Sequence, residues 1–104
     1  MTAEKEMLPL VTLPLSRSLI GYGVIGSSYA HILDKRGDTG ESVGIVRKGA
    51  IVEILERRPL LVNDKTSRWV FVSDGNYSGW LLESELQIYD SKAQAETAAN
   101  SLVQ

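Results

Sequence analysis

From residue 19 to residue 89 apolar positions recur with a period of two, broken by polar or glycine-containing turns. Residues 19–25 form the first predicted strand, carrying Gly21 and Gly23, which permit a bulge or sharp coiling. Residues 28–33 form a second, with Tyr29, His31 and Leu33 on one face and Ala30 and Ile32 on the other. Residues 36–42 read as a polar loop, 43–46 as a short strand, and Lys48-Gly49 as a turn. Residues 50–58, rich in β-branched side chains, and 68–73 are the strongest strand signals. Residues 59–67 are expected to connect them, turning at Asn63-Asp64. Asp74-Gly75-Asn76 predicts a hairpin turn into a strand over 77–82. A 3₁₀ turn over 83–85 and a last short strand over 86–89 follow.

The period changes after residue 90. Ser91 is a helix cap, and Ala95, Ala98, Ala99 and Leu102 fall on one helical face. So thin a stripe predicts weak docking or fraying. At the other end, residues 8–15 carry Pro9 and Pro14, which exclude a helix and a central strand and leave an extended arm. The leucines of that arm cover part of the core, or else the segment is a linker. The expected organisation is an arm over 1–18, a β-domain over 19–90 and a helix or tail over 91–104. About five or six short strands separated by turns imply an all-β small barrel or sandwich.

Alternation places Val52 with Ile54, and Val70 with Val72, on inward faces, with Leu81 and Leu86 closing the core. The same alternation turns Trp69 and Phe71 the other way. Two readings stay open: they are exposed and bind a ligand, or the arm or the C-terminal helix covers them. It also puts Glu53 and Glu56 on opposite faces.

Composition narrows the chemistry. The chain has 104 residues, 43% hydrophobic and 23% charged, with a formal net charge of −2 and no Cys. Absence of Cys excludes a disulfide scaffold, a thiolate zinc site and a cysteine nucleophile. A near-neutral balance lacks the basic excess of a nucleic-acid binder. One histidine, His31, cannot build a His-rich metal site, and no nucleophile motif accompanies it, so no catalytic residue, metal or cofactor is expected. Arg57, Arg58, Lys65 and Arg68 cluster about one connection as ordinary surface cations. No run is long enough to span a membrane. The first residues carry Glu4, Lys5 and Glu6 rather than a basic leader, which leaves a cytoplasmic protein or an exported one whose leader was replaced by a start Met.

Read in order, the motifs resemble the bacterial SH3 family. They are Gly23-Val24-Ile25, the polar loop 36–42, Gly49-Ala50-Ile51-Val52-Glu53-Ile54-Leu55, Trp69-Val70-Phe71-Val72, the turn 74–78 and Gly79-Trp80. The strand before the polar loop, Tyr29-Ala30-His31-Ile32-Leu33-Asp34, departs from the Leu-Asn-Val-Arg type common in that family. Residues 79–86 also resemble the eukaryotic Gly-Tyr-Ile-Pro-Ser-Asn-Tyr-Val segment. Leu82 and Glu85 replace its groove-lining Pro and Tyr, which argues against polyproline binding.

The resemblance implies a small SH3-like barrel and a non-catalytic binding or scaffolding module of the cell envelope. Such domains commonly bind peptidoglycan or accompany wall hydrolases, and many lie outside the cytoplasm. The expected partner is a cell-wall fragment or a peptide or protein, and the expected state is a monomer. The alternatives are a protein–protein adaptor and an accessory domain of a wall hydrolase. The candidate binding residues are Trp69, Phe71, Tyr77 and Tyr29, with Asp38 and Glu41 of the polar loop placed to pair with a cationic group.

Overall fold

The computed structural model describes residues 19–102. The arm expected over 8–15 lies outside them. The strongest alternating segments build the centre of the sheet: β4 (Ile51–Val62) and β5 (Lys65–Ser73) pair antiparallel along nearly their whole length. Around them lie β1 (Gly21–Ile25), β2 (Tyr29–Leu33), β3 (Ser42–Arg47), β6 (Ser78–Leu82) and β7 (Leu86–Tyr89), in the order β3-β2-β6-β5-β4-β1-β7. A 3₁₀ turn at Glu83–Glu85 and helix α1 (Lys92–Leu102) complete the described residues.

The seven strands curl into an SH3-like half-barrel. Beyond the ladders, the Ile25 N–H donates to the Ala50 carbonyl (3.0 Å) and the Gly49 N–H to the Ile25 carbonyl (2.8 Å). The end of β1 is thereby tied to the β3–β4 turn. Gly79 is required where β2 crosses β6. A Cβ there would lie 2.4 Å from the Leu33 carbonyl oxygen and 2.6 Å from Ile32 Cγ2.

The core follows the expected alternation. Val52, Ile54, Val70 and Val72 are each at most 1% exposed, and Leu81 and Leu86 close the cluster with Ile25, Ile32 and Val46. Each fully buried aliphatic side chain contributes about 1.5–3 kcal/mol. Consecutive residues Val24 and Ile25 are both buried because β1 is covered on both faces. Ile25 enters the barrel, while Val24 packs under Ala95 and Ala99 of α1.

Three expectations change. Residues 59–67 are not a loose connection; β4 and β5 continue as a hairpin to Val62 and Lys65. Asn63 and Asp64 both take positive φ (51° and 65°), the geometry a two-residue hairpin turn requires. Pro59 is tolerated there because the outer half of β4 pairs only with β5 among the described residues. Second, the β4–β5 register shifts between Ile54 and Glu56, so Glu53 and Glu56 lie opposite Ser73 and Phe71 on one face, not on two. Third, α1 does dock: Ala95 is 0% exposed and Ala99 7%, although Leu102 stays outside at 40%. Its start is held reciprocally. The Gln94 N–H donates to Ser91 Oγ (3.2 Å) and the Ser91 N–H to Gln94 Oε1 (3.3 Å).

Val52→Asp or Val70→Asp places an unpaired charge in this core at a cost of several kcal/mol, comparable to the stability of a small domain. Either variant is expected to be unfolded by circular dichroism at room temperature. A cooperative melt within a degree or two of wild type would show that the inward face is misread. Ser91→Ala is expected to lower stability by about 1 kcal/mol in urea titrations, with the β-sheet signal intact.

Candidate functional site

The polar loop between β2 and β3 is a folded element. The Asp34 N–H donates to the Glu41 carbonyl (3.0 Å), and the Glu41 N–H donates to Asp34 Oδ1 (2.8 Å). Gly37, at φ +93°, turns the tip, and the Gly40 N–H donates to the Gly37 carbonyl (3.2 Å). Arg36 fastens the loop down. Its Nη1 donates to the Pro59 carbonyl (2.8 Å), and its guanidinium carbon lies 5.3 Å from the centre of the Trp80 ring, a cation–π distance. The tip also sits close against the hairpin, since a Cβ on Gly37 would lie 3.1 Å from Leu60 Cδ2.

Between this loop and the β4–β5 hairpin runs a cleft of about 650 Å³. Asp38 and Thr39 belong to its loop wall, Leu60, Val62 and Lys65 to its hairpin wall, and Trp69 and Leu82 to the sheet beneath. A second hollow of about 490 Å³ is lined by Trp69 and Leu82 too, with His31, Leu33 and Ser42. The cleft therefore combines apolar surface with one acidic side chain, Asp38, and two basic ones, Lys65 and the Arg36 already engaged with the Pro59 carbonyl and Trp80. No ion pair is seen for either Asp38 or Lys65 among the described residues.

A larger hollow, about 870 Å³, lies between the hairpin, the 3₁₀ turn and β7. Arg57 and Glu83 both line it and are paired to each other, Nη2 to Oε2 at 2.9 Å. Arg58 likewise pairs with Glu56. Two of the four cations read from the sequence are thus neutralised locally, so this side has little left to attract an anionic polymer.

The structure separates the sequence-derived candidates. Trp69 is 6% exposed, and its indole N–H donates to Ser67 Oγ (2.9 Å). The ring is packed into the sheet and only borders the two hollows from beneath. Phe71 is half-buried, edge-on to Trp80 at 5.2 Å. The C-terminal helix does not cover these two, because it packs on Tyr22, Val24, Ile51 and Tyr89 instead. The proposed cover by residues 8–15 lies outside the described residues.

Tyr29 (57% exposed) and Tyr77 (49%) are open, but neither lines the cleft. Tyr29 stands edge-on to His31 at 5.6 Å, and the Tyr77 ring lies over Gly44. Asp38 lines the cleft; Glu41 is exposed outside it. His31 Nδ1 contacts Ser42 Oγ at 2.9 Å, but the hydroxyl also donates to the Gly44 carbonyl (3.2 Å). With both groups exposed and no acidic partner seen on the imidazole among the described residues, this is a surface contact.

Reading residues 59–67 as a connection hid Leu60, Val62 and Lys65. The two-residue Asn63-Asp64 turn, with the apolar run Leu60-Leu61-Val62 before it and a β-rich segment on each side, was the available signal.

A family model described as the Treponema TP0069 SH3-like domain matches residues 23–102, a span from within β1 to the last residue of α1. No curated protein and no solved structure matches the chain.

Because Trp69 is buried, Trp69→Ala is expected to destabilise the domain by about 3–5 kcal/mol. Trp69→Phe is expected to be milder, losing the Ser67 hydrogen bond and part of the volume. Chemical denaturation of both variants checks this. An undiminished Trp69→Ala stability would mean that the ring contributes nothing to packing.

Proposed function

The chain belongs to the Treponema TP0069 SH3-like family, which makes it an SH3-like binding or scaffolding module, and on that premise we propose that it binds a short extended peptide in the cleft between loop 34–41 and the β4–β5 hairpin. The observation that carries this is the make-up of the cleft. Leu60, Val62 and Leu82 present apolar surface, Asp38 offers a carboxylate and Lys65 an ammonium. An extended peptide with an apolar side chain, a free amino group and a carboxylate matches all three features.

The stem peptide of peptidoglycan has this zwitterionic chemistry, and its diamino acid supplies the cation for Asp38. The bacterial SH3 resemblance favours the same ligand and a location in the cell envelope. The module binds without turning its ligand over; His31, the one imidazole, lines the neighbouring hollow and not this cleft. Arg36 is a positioning residue, since its bond to the Pro59 carbonyl and its contact with Trp80 hold one wall in place.

The test is a titration of the full 104-residue chain with purified stem peptides and with sonicated peptidoglycan, followed by amide chemical shifts. Shifts are expected at residues 36–39, 60–66 and 82. Asp38→Asn and Lys65→Ala are each expected to weaken binding about tenfold, the loss of one charge-assisted hydrogen bond, with unchanged melting. Tyr29→Ala is expected to leave affinity unchanged. Shifts confined to another face would overturn the assignment of the cleft. Absence of any binding to wall material, alongside capture of a protein through the same cleft residues, would replace the wall reading with the adaptor reading.

A further inference from the structure

The hollow beside the cleft has a composition of its own. It measures about 490 Å³ and shares only Trp69 and Leu82 with the cleft. Leu33 and Leu82, both half-buried, and the edge of Trp69 give it an apolar floor. Its polar side chains are His31, Ser42 and Glu85. A concave apolar surface with a few converging polar groups is the general form of a ligand site.

The donors of this hollow are already spent. The Trp69 indole N–H goes to Ser67 Oγ (2.9 Å), and the Gly40 N–H to the Gly37 carbonyl (3.2 Å). Ser42 Oγ donates to the Gly44 carbonyl (3.2 Å) and lies 2.9 Å from His31 Nδ1. A hydroxyl has a single proton. With that proton on the Gly44 carbonyl, the contact with His31 is made by an Nδ1–H donating to the hydroxyl oxygen. In the neutral ring Nε2 is then a bare acceptor.

The acceptors are not spent. Glu85 ends the 3₁₀ turn and is fixed at two points from the turn between β1 and β2. The Gly26 N–H donates to its carbonyl (2.9 Å), and Ser27 Oγ donates to its Oε1. Its Oε2 has no donor, and its carboxylate no cation, among the described residues. The hollow thus offers a held negative charge and a second acceptor above apolar surface, and no free side-chain donor.

We propose that this hollow is a subsite for the alkylammonium side chain of a lysine or another diamino acid carried by a peptide. The ammonium donates to Glu85 Oε2 and His31 Nε2, and its methylene stem lies on Leu33 and Leu82. An anionic group is refused, because nothing there donates to it. Joined to the cleft across Trp69 and Leu82, the subsite makes the bound peptide one with two ammonium groups, one for Asp38 and one for Glu85. That extension rests on the peptide reading; the subsite itself does not.

The test titrates the full 104-residue chain with two small probes of one shape, followed by amide chemical shifts. They are Nα-acetyl-lysine methylamide and its neutral counterpart, Nα-acetyl-norleucine methylamide. The lysine probe is expected to saturate with a Kd of about 1–10 mM, and the norleucine probe to bind about tenfold more weakly. Shifts are expected at residues 31, 33, 42, 82 and 85. Glu85→Gln, which keeps an oxygen for Ser27 Oγ, is expected to lower the lysine probe to the norleucine level with unchanged melting. His31→Phe is expected to weaken it about fivefold, the loss of one hydrogen bond. Two-bond ¹H–¹⁵N correlation of the neutral imidazole is expected to place its proton on Nδ1. Asp38→Asn and Lys65→Ala are expected to leave both probes unaffected. No saturation below about 50 mM, equal binding of the two probes, wild-type binding by Glu85→Gln, or a proton on Nε2 overturns the subsite. A lysine probe that binds through Asp38 instead overturns it too, while leaving the peptide reading of the cleft in place.

Discussion

The β4–β5 ladder, running from Glu53↔Ser73 to Val62↔Lys65, is shared between two jobs that a single straight strand pair could not do together. Its inner end supplies Ile54 and Val72 to the barrel core, with Val52 just before the ladder and Val70 just past the register shift. Its outer half leaves the barrel and becomes one wall of the cleft. The register shift between Ile54 and Glu56 separates the halves, where the inserted residue bends the strand. β1 pairs with the inner half only, as far as Ile54, so the outer half is free to project. The loop over 34–41 then docks on that projection through Arg36 and the Pro59 carbonyl. Proline serves here because its own nitrogen needs no partner while its carbonyl accepts one.

Charge is distributed to leave little free attraction. Arg57 and Arg58 are answered by Glu83 and Glu56, pairs that are largely exposed and therefore worth about 0–1 kcal/mol each. Their effect is to cancel fields more than to stabilise the fold. In the cleft, Arg36 is held by the Pro59 carbonyl and Trp80, which leaves Lys65 and Asp38 on opposite walls with no ion pair seen among the described residues. A site with one acid, one basic side chain without a seen partner and an arginine tied into its wall, on modest apolar surface, suits a small amphoteric group.

Helix α1 shows how a weak periodic signal becomes a firm element. Its stripe is alanine, which brings little apolar area but permits close approach. Val24 lies beneath it on the outer face of β1, and the Ser91–Gln94 cap satisfies one orphan donor of its first turn, the Gln94 N–H. That the family match extends through Leu102 agrees with a helix that belongs to the module.

The sequence by itself determined whatever depends on neighbours along the chain. Alternation separated Val52, Ile54, Val70 and Val72 from Trp69 and Phe71. Asp74-Gly75 marked a turn, Ser91 a cap, and the order of the motifs pointed to an SH3-like barrel. Tertiary structure decided what those outward residues meet. A period of two says that Trp69 faces away from the valines. It does not say that Trp69 ends 6% exposed, bonded to Ser67 and paired across the sheet with Leu82, while Arg36, from a distant loop, lies over Trp80, the cross-strand partner of Phe71. The same limit hid the hairpin over 59–67, because Pro59 reads as a strand breaker until it is known that the outer half of β4 has one partner and not two. Local pattern fixes which way a side chain points; only the packing of distant segments fixes whether solvent is there.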